Sequence, residues 1–211
     1  MAVAKVRPLK DRFDGTTQQA VKLLADVKTL IKPAPAGPGH PGLPQFQLNL
    51  IYELAFVRCV LAWEDFLHTS MCAYLTGARG LSGRPTRPKA KVPTLTIAEG
   101  LLVGEREFLS WTDKRTVRDR AALWFENGEP YDTALKNFAS YEELRRVRNR
   151  IVHRSASAQE KFVKLRSQKY PNMSHRGMGP GAFLARSTQA GTRLDGYVAD
   201  LQAAVTYIAT N

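Results

Sequence analysis

The chain has 211 residues, with 31 Lys and Arg against 19 Asp and Glu, for a formal charge of +12. With 44% hydrophobic and 24% charged residues it can bury a core, which excludes generic disorder, and its length suits one domain or one domain with an appendage. The charge points to polyanionic partners, nucleic acid first and an acidic membrane or protein surface second, while two cysteines, Cys59 and Cys72, exclude a disulfide scaffold or a cysteine-rich zinc site.

The first residues carry scattered positive charge with no apolar run behind them, so they are not read as a secretory signal. Residues 16–32 place Leu23, Leu24, Val27, Leu30 and Ile31 on one helical arc, with Thr16 or Thr17 as the N-cap. Residues 33–44 hold five of the chain's 12 prolines, which excludes a helix because proline lacks the amide donor; a connector or exposed loop is expected. The domain division follows from it: an N-terminal helix and connector over 1–45, and a helical domain over 46–211.

From about residue 44 to 77 the pattern predicts one long helix of roughly 50 Å. Leu50, Leu54, Val57, Leu61, His68, Cys72 and Leu75 line one stripe and Ala55, Cys59, Trp63, Phe66 and Ala73 a second, so this is read as the central helix, with Gly77 as its C-cap. It is also the most apolar stretch. Glu53, Arg58, Glu64 and Asp65 interrupt it, and no membrane span is expected. The expected compartment is the cytoplasm, with reduced thiols.

Arg79, Arg84, Arg87, Lys89 and Lys91 then follow without an acid, either as a solvated loop or as one that contacts phosphates. Thr96, Ile97, Ala98 and Glu99 have capping-box spacing, and residues 116–125 predict another helix, ended by Asn127-Gly128. A second capping box at Ser140–Glu143 opens a helix that runs to about residue 168, with an interruption allowed at Ser155–Ser157. Residues 171–182 read as a Gly/Pro-rich loop, and a last helix over 194–209 aligns Leu194, Val198, Leu201, Val205 and Ile208. Strand-like alternation is scarce. The expected class is all-α, a helical bundle around the long helix.

No phosphate-binding glycine motif or metal-ligand cluster stands out, His40, His175 and the cysteines are isolated, and neither cofactor nor metal is expected. The chemistry concentrates in residues 143–155. At about 100° per residue, Arg148 falls inside the apolar arc of Leu144, Val147 and Ile151, where it needs a partner. Asn149, His153 and Arg146 share the opposite polar face. Arg150 and Arg154 flank His153, and neighbouring positive charge should keep part of the imidazole neutral, as a general base requires. Arg148 and His153 nevertheless point about 140° apart on an ideal helix. Either the helix distorts, or the long arginine stem reaches around, or the site is composite. Glu64 on the long helix is the candidate carboxylate partner for Arg148, with Asp65 behind it; the plainer reading is an ordinary ion pair between helices. His68 reads as a core histidine, Trp63 as packing, and Trp111 and Trp124 as open candidates for base stacking.

Arg148-Asn149-x-x-x-His153 resembles the R-N-x-x-x-H form of the HEPN superfamily signature. Ala62-Trp63-Glu64-Asp65-Phe66-Leu67 resembles the tryptophan–glutamate segment of HEPN proteins in the ribonuclease LS and phage-shock-type group, and the stretch from Gly179 through Leu184 into the last helix is similar to the same group. The resemblance covers roughly residues 46–209. It implies a HEPN-type bundle and a metal-independent endoribonuclease that leaves 2′,3′-cyclic phosphate and 5′-hydroxyl ends. Carried onto this chain, His153 would be the general acid/base, Arg148 would hold the scissile phosphate, and Asn149 would orient the phosphate or the histidine. A homodimer with facing motif helices is implied as well. Arg79, Arg84, Arg87, Lys89, Arg145, Arg146, Arg150 and Arg154 are the candidate RNA contacts. The biological setting implied is a toxin or phage-defence effector, with an antitoxin or other regulatory partner. Two readings compete: a non-catalytic HEPN module that binds RNA or protein, and a helical protein of duplex DNA, which lacks a convincing helix-turn-helix.

Overall fold

The computed structural model describes residues 5–30, 44–104, 110–174, 177–189 and 191–211. The Leu30 side chain, Ile31, residues 33–43 of the proline-rich connector, His40 and His175 lie outside them. Among the described residues the fold is all-α: α1 (Arg7–Leu30), α2 (Gln45–Leu75), α3 (Leu95–Val103), α4 (Lys114–Trp124), α5 (Tyr131–Asn137), α6 (Tyr141–Val152), α7 (Ala156–Lys169), α8 (Pro180–Leu184) and α9 (Arg193–Thr210). One short antiparallel hairpin, β1 (Ser187–Thr188) with β2 (Gly191–Thr192), precedes α9. The chain forms two compact units, the first Met1–Gly15, Leu61–Glu142 and Ala199–Asn211, the second Thr16–Val60 and Glu143–Val198. The boundary expected at residue 45 falls inside the second unit.

The first unit is built on aromatic packing. Trp63 is fully buried, with ring centroids of Phe66, Phe138 and Tyr141 at 6.4, 5.9 and 6.4 Å. Its buried phenols all find acceptors or partners: Tyr74 donates to the Ile208 carbonyl at 2.5 Å, Tyr141 to the Trp111 carbonyl at 2.8 Å, and Tyr131 lies 3.0 Å from Ser70 Oγ. Burial pushes all three hydroxyls up, so they stay neutral. The basic loop after α2 is tied to the end of α9, where Leu81 and Ser82 donate to the Ala209 and Thr210 carbonyls at 2.7 and 3.2 Å. Gly80 allows this approach, because a Cβ there would sit 2.6 Å from the Thr210 oxygen.

The second unit buries Leu24, Val27, Tyr52, Phe56, Leu144, Val147, Phe162, Phe183 and Tyr197. Glu53 on α2 accepts from the Gly181 amide of α8 at 2.9 Å. Gly181 is required there, since a Cβ would lie 2.1 Å from the Asn49 oxygen. Both cysteines are free and buried. Burial, against an opposing pull from Arg58, pushes the Cys59 thiol up to about 12; burial and Glu99 push Cys72 up to about 12. Neither is a nucleophile at neutral pH.

Several sequence-based expectations need correction. The helix expected from Thr16 or Thr17 begins at Arg7, and Thr17 is fully buried within it. Pro8 is tolerated in the first turn, and Lys10 pairs with Asp14 at 2.5 Å one turn on. Leu23 is exposed. On α2 the second stripe is buried throughout, but Leu50, Leu54 and Leu61 of the first are 52, 60 and 53% exposed; only residues 66–75 are buried nearly all round. By length and composition α2 is also apolar enough to cross a membrane, against the expectation that no segment would be. The α3 cap is Thr94, which accepts from the Ile97 amide at 3.3 Å, two residues before the expected Thr96. Asp113 caps α4, which begins at Lys114, two residues before the expected Thr116. Ser140 precedes α6 as expected, but its hydroxyl donates to Asp200, and Glu143, the acid expected to close the box, is engaged by Lys169 and Arg193. Gly77, Asn127 and Gly128 take the positive φ values expected of chain ends, and all five residues of the α9 stripe are buried.

Candidate functional site

Helix α6 is held by Tyr141, Leu144 and Val147, all buried, and it stops at Val152. The stop is local: Ser155 takes an extended conformation and caps α7, accepting from the Ala158 amide at 3.2 Å. The interruption allowed at Ser155 is therefore real, and His153 lies in the corner between two helices. Its amide still donates to the Asn149 carbonyl at 2.9 Å.

That placement resolves the angular conflict between Arg148 and His153. Arg148 Nη1 donates to Asn149 Oδ1 at 3.3 Å and stands 3.3 Å from His153 Nε2. The helix ends before the histidine, and the arginine stem reaches along it. One chain suffices to bring all three side chains together. Arg148 is half-buried, as its place on the apolar side requires, and His153 is exposed. A guanidinium has only donors, so in this contact Nε2 is placed to accept.

Arg146 and Arg150 are half-buried on the polar face shared with Asn149, and Arg154 is exposed beside His153. Among the described residues none of the three has a carboxylate within ion-pair distance. Arg145 does have a partner. The remaining candidates belong to the first unit. Arg79 and Arg84 are exposed there, whereas Arg87 faces Glu126 at 3.7 Å and Lys89 donates to the Ala122 carbonyl at 2.7 Å. Glu64 is also in the first unit, among the acids that, after burial, help push the Tyr141 hydroxyl up. Asp65 pairs with Arg12 at 3.7 Å. His68 is half-buried, stacked on Trp111 with centroids 5.5 Å apart and 3.9 Å from Glu99. Trp111 is buried in that stack; Trp124 is half-buried.

Sequence reasoning missed the first unit's cleft, of about 990 Å³, lined among others by Lys89, Arg115, Arg118, Asp119, Asp132 and Glu142. Several of its charges are paired. Asp132 accepts from Lys136 at 2.6 Å and Arg118 at 2.7 Å, and Arg115 faces Asp119 at 3.7 Å. The Lys136 hydrogen bond, with that of Arg118, holds the Asp132 carboxyl below its usual range against a smaller opposing effect of burial. Nothing in the sequence pattern joins these residues, which come from the basic loop, α4, α5 and α6. Among the described residues no group of three or more His, Cys, Asp or Glu side chains is arranged to hold a metal ion. No family model, curated protein or solved structure matches this chain.

Proposed function

We propose that this chain is a HEPN-type, metal-independent endoribonuclease, acting in the cytoplasm as a toxin or phage-defence effector. The observation that carries the reading is the convergence of Arg148, Asn149 and His153, with the arginine 3.3 Å from both of the others. In the proposed reaction the RNA backbone phosphate takes the Arg148 guanidinium away from His153. The freed Nε2 accepts the proton of the 2′-hydroxyl, the 2′ oxygen attacks phosphorus, and the P–O5′ bond breaks. The 5′ oxygen leaves with a proton from solvent, which yields a 2′,3′-cyclic phosphate and a 5′-hydroxyl. Arg148 offsets the charge that develops on the phosphoryl oxygens, and Asn149 orients the guanidinium. Arg146, Arg150 and Arg154 bind flanking phosphates. A homodimer with facing α6 helices and control by an antitoxin or other partner belong to the same proposal.

The test is cleavage of a labelled RNA pool in EDTA by the wild type, Arg148→Ala and His153→Ala. Cleavage that survives EDTA and is lost in both variants supports the reading. RNA binding without cleavage by the wild type would move the chain to a non-catalytic module.

A further inference from the structure

Helices α6 and α7 form a hairpin with two ends. One is the corner of His153, Arg154 and Ser155. At the other, Glu143 in the first turn of α6 meets Lys169, the last residue of α7, and Arg193, the first of α9. Glu143 Oε1 pairs with Lys169 Nζ. Its Oε2 accepts from the Tyr197 hydroxyl at 3.3 Å and lies 3.6 Å from Arg193 Nη1. Arg193 is fixed in turn: its Nε donates to the Tyr170 hydroxyl at 3.2 Å, and its guanidinium sits 5.0 Å from the Phe183 ring and 5.4 Å from that of Tyr170. The side chains of Glu143 and Arg193 are 21% and 16% exposed. Such a pair is screened far less than a surface ion pair.

The corner itself is weakly tied. Residues 152–157 are all exposed, and what orders them is the last bond of α6 and the Ser155 cap. The angle between the two helices must therefore be set along their buried faces and at the far end. The geometry points to Glu143 as a positioning residue for the motif: by clamping the open end of the hairpin to Lys169 and Arg193, it fixes how far His153 stands from Arg148. Its effect on catalysis rests on the ribonuclease reading, whereas its effect on the His153 environment does not. Sites of this kind need placement within about 0.5 Å, and a swing of α7 about the corner pulls on His153, which links it to α6, while Arg148 stays on α6.

The experiment is NMR of the full chain labelled with ¹³C at the histidine rings, with the His153 signal assigned by its loss in His153→Gln. Arg148→Ala marks where that signal goes when the contact is broken. Glu143→Gln and Lys169→Met should each move it in the same direction, with the His68 signal unmoved, and Lys169→Arg should restore the wild-type position. On RNA, the same two variants should lose about 10- to 100-fold in kcat with the affinity for RNA unchanged. A His153 signal that stays at its wild-type position in both variants would overturn the proposal. If Glu143→Gln fails to fold, Lys169→Met alone decides, since Lys169 is 36% exposed. A wild type that cleaves no RNA, with the shifts still present, would remove the ribonuclease reading and leave the positioning role standing.

Discussion

The cleft of the first unit and the motif corner of the second are opposites. The cleft is large, and several of its charges are paired, with Asp132 between Arg118 and Lys136 and Arg115 beside Asp119. The corner is exposed, but it holds a guanidinium against an imidazole nitrogen and carries Arg146, Arg150 and Arg154 without carboxylate partners among the described residues. A charge already satisfied within the fold has little left to give a ligand. Under the proposed reading, the polyanion binds at the corner rather than in the cleft.

The largest effect that separates the two regions is on turnover. His153→Ala should lower RNA cleavage by about 10² to 10⁴, the usual worth of general acid–base catalysis, whereas Arg118→Ala in the cleft should leave the rate unaltered. Single-turnover cleavage of one labelled RNA checks both. A smaller effect is on binding. Arg146→Gln, Arg150→Gln and Arg154→Gln should each weaken RNA binding and reduce the slope of log affinity against log salt by about 1, while Arg115→Gln should leave the slope alone. Equal slopes for the two sets would erase the distinction.

The smallest effect is on stability. Asp132 has a carboxyl held low in the folded state, so it stabilises the fold above its unfolded value of 3.8, and that contribution is lost as pH falls through the lower folded value. Its partners Arg118 and Lys136 are 46% and 62% exposed, and screening limits the contribution to about 0.5–1 kcal/mol. Asp132→Asn should lower the urea midpoint at neutral pH, with the gap to the wild type narrowing as pH falls below the ordinary carboxylate range. A constant gap would assign the loss to packing.

What could be read from the sequence was what depends on near neighbours. The α9 stripe of Leu194, Val198, Leu201, Val205 and Ile208 and the turn residues Gly77 and Asn127-Gly128 follow from periodicity and backbone preference alone. Helix starts were less legible because competing caps lie two or three residues apart: Thr94 and Thr96 both qualify, as do Asp113 and Thr116, and the choice depends on tertiary packing. A full box at Thr192 and Asp195, in which the Asp195 carboxylate accepts from the Thr192 amide at 2.7 Å, went unread beside the hydrophobic stripe of α9. The motif residues were legible but their geometry was not. A helical wheel assumes that the helix continues and ignores the reach of a long side chain; here α6 stops at Val152, Ser155 starts a new helix, and Arg148 still meets His153. The cleft and the Glu143 clamp join residues far apart in the chain, and no local pattern announces them.

The most direct test of the central claim is the chemistry of the RNA ends left by the wild-type chain in EDTA. The account predicts a 2′,3′-cyclic phosphate and a 5′-hydroxyl, with cleavage abolished at a position that carries a 2′-deoxyribose and in His153→Ala. Products with a 3′-hydroxyl and a 5′-phosphate, or cleavage that persists in His153→Ala, would contradict it.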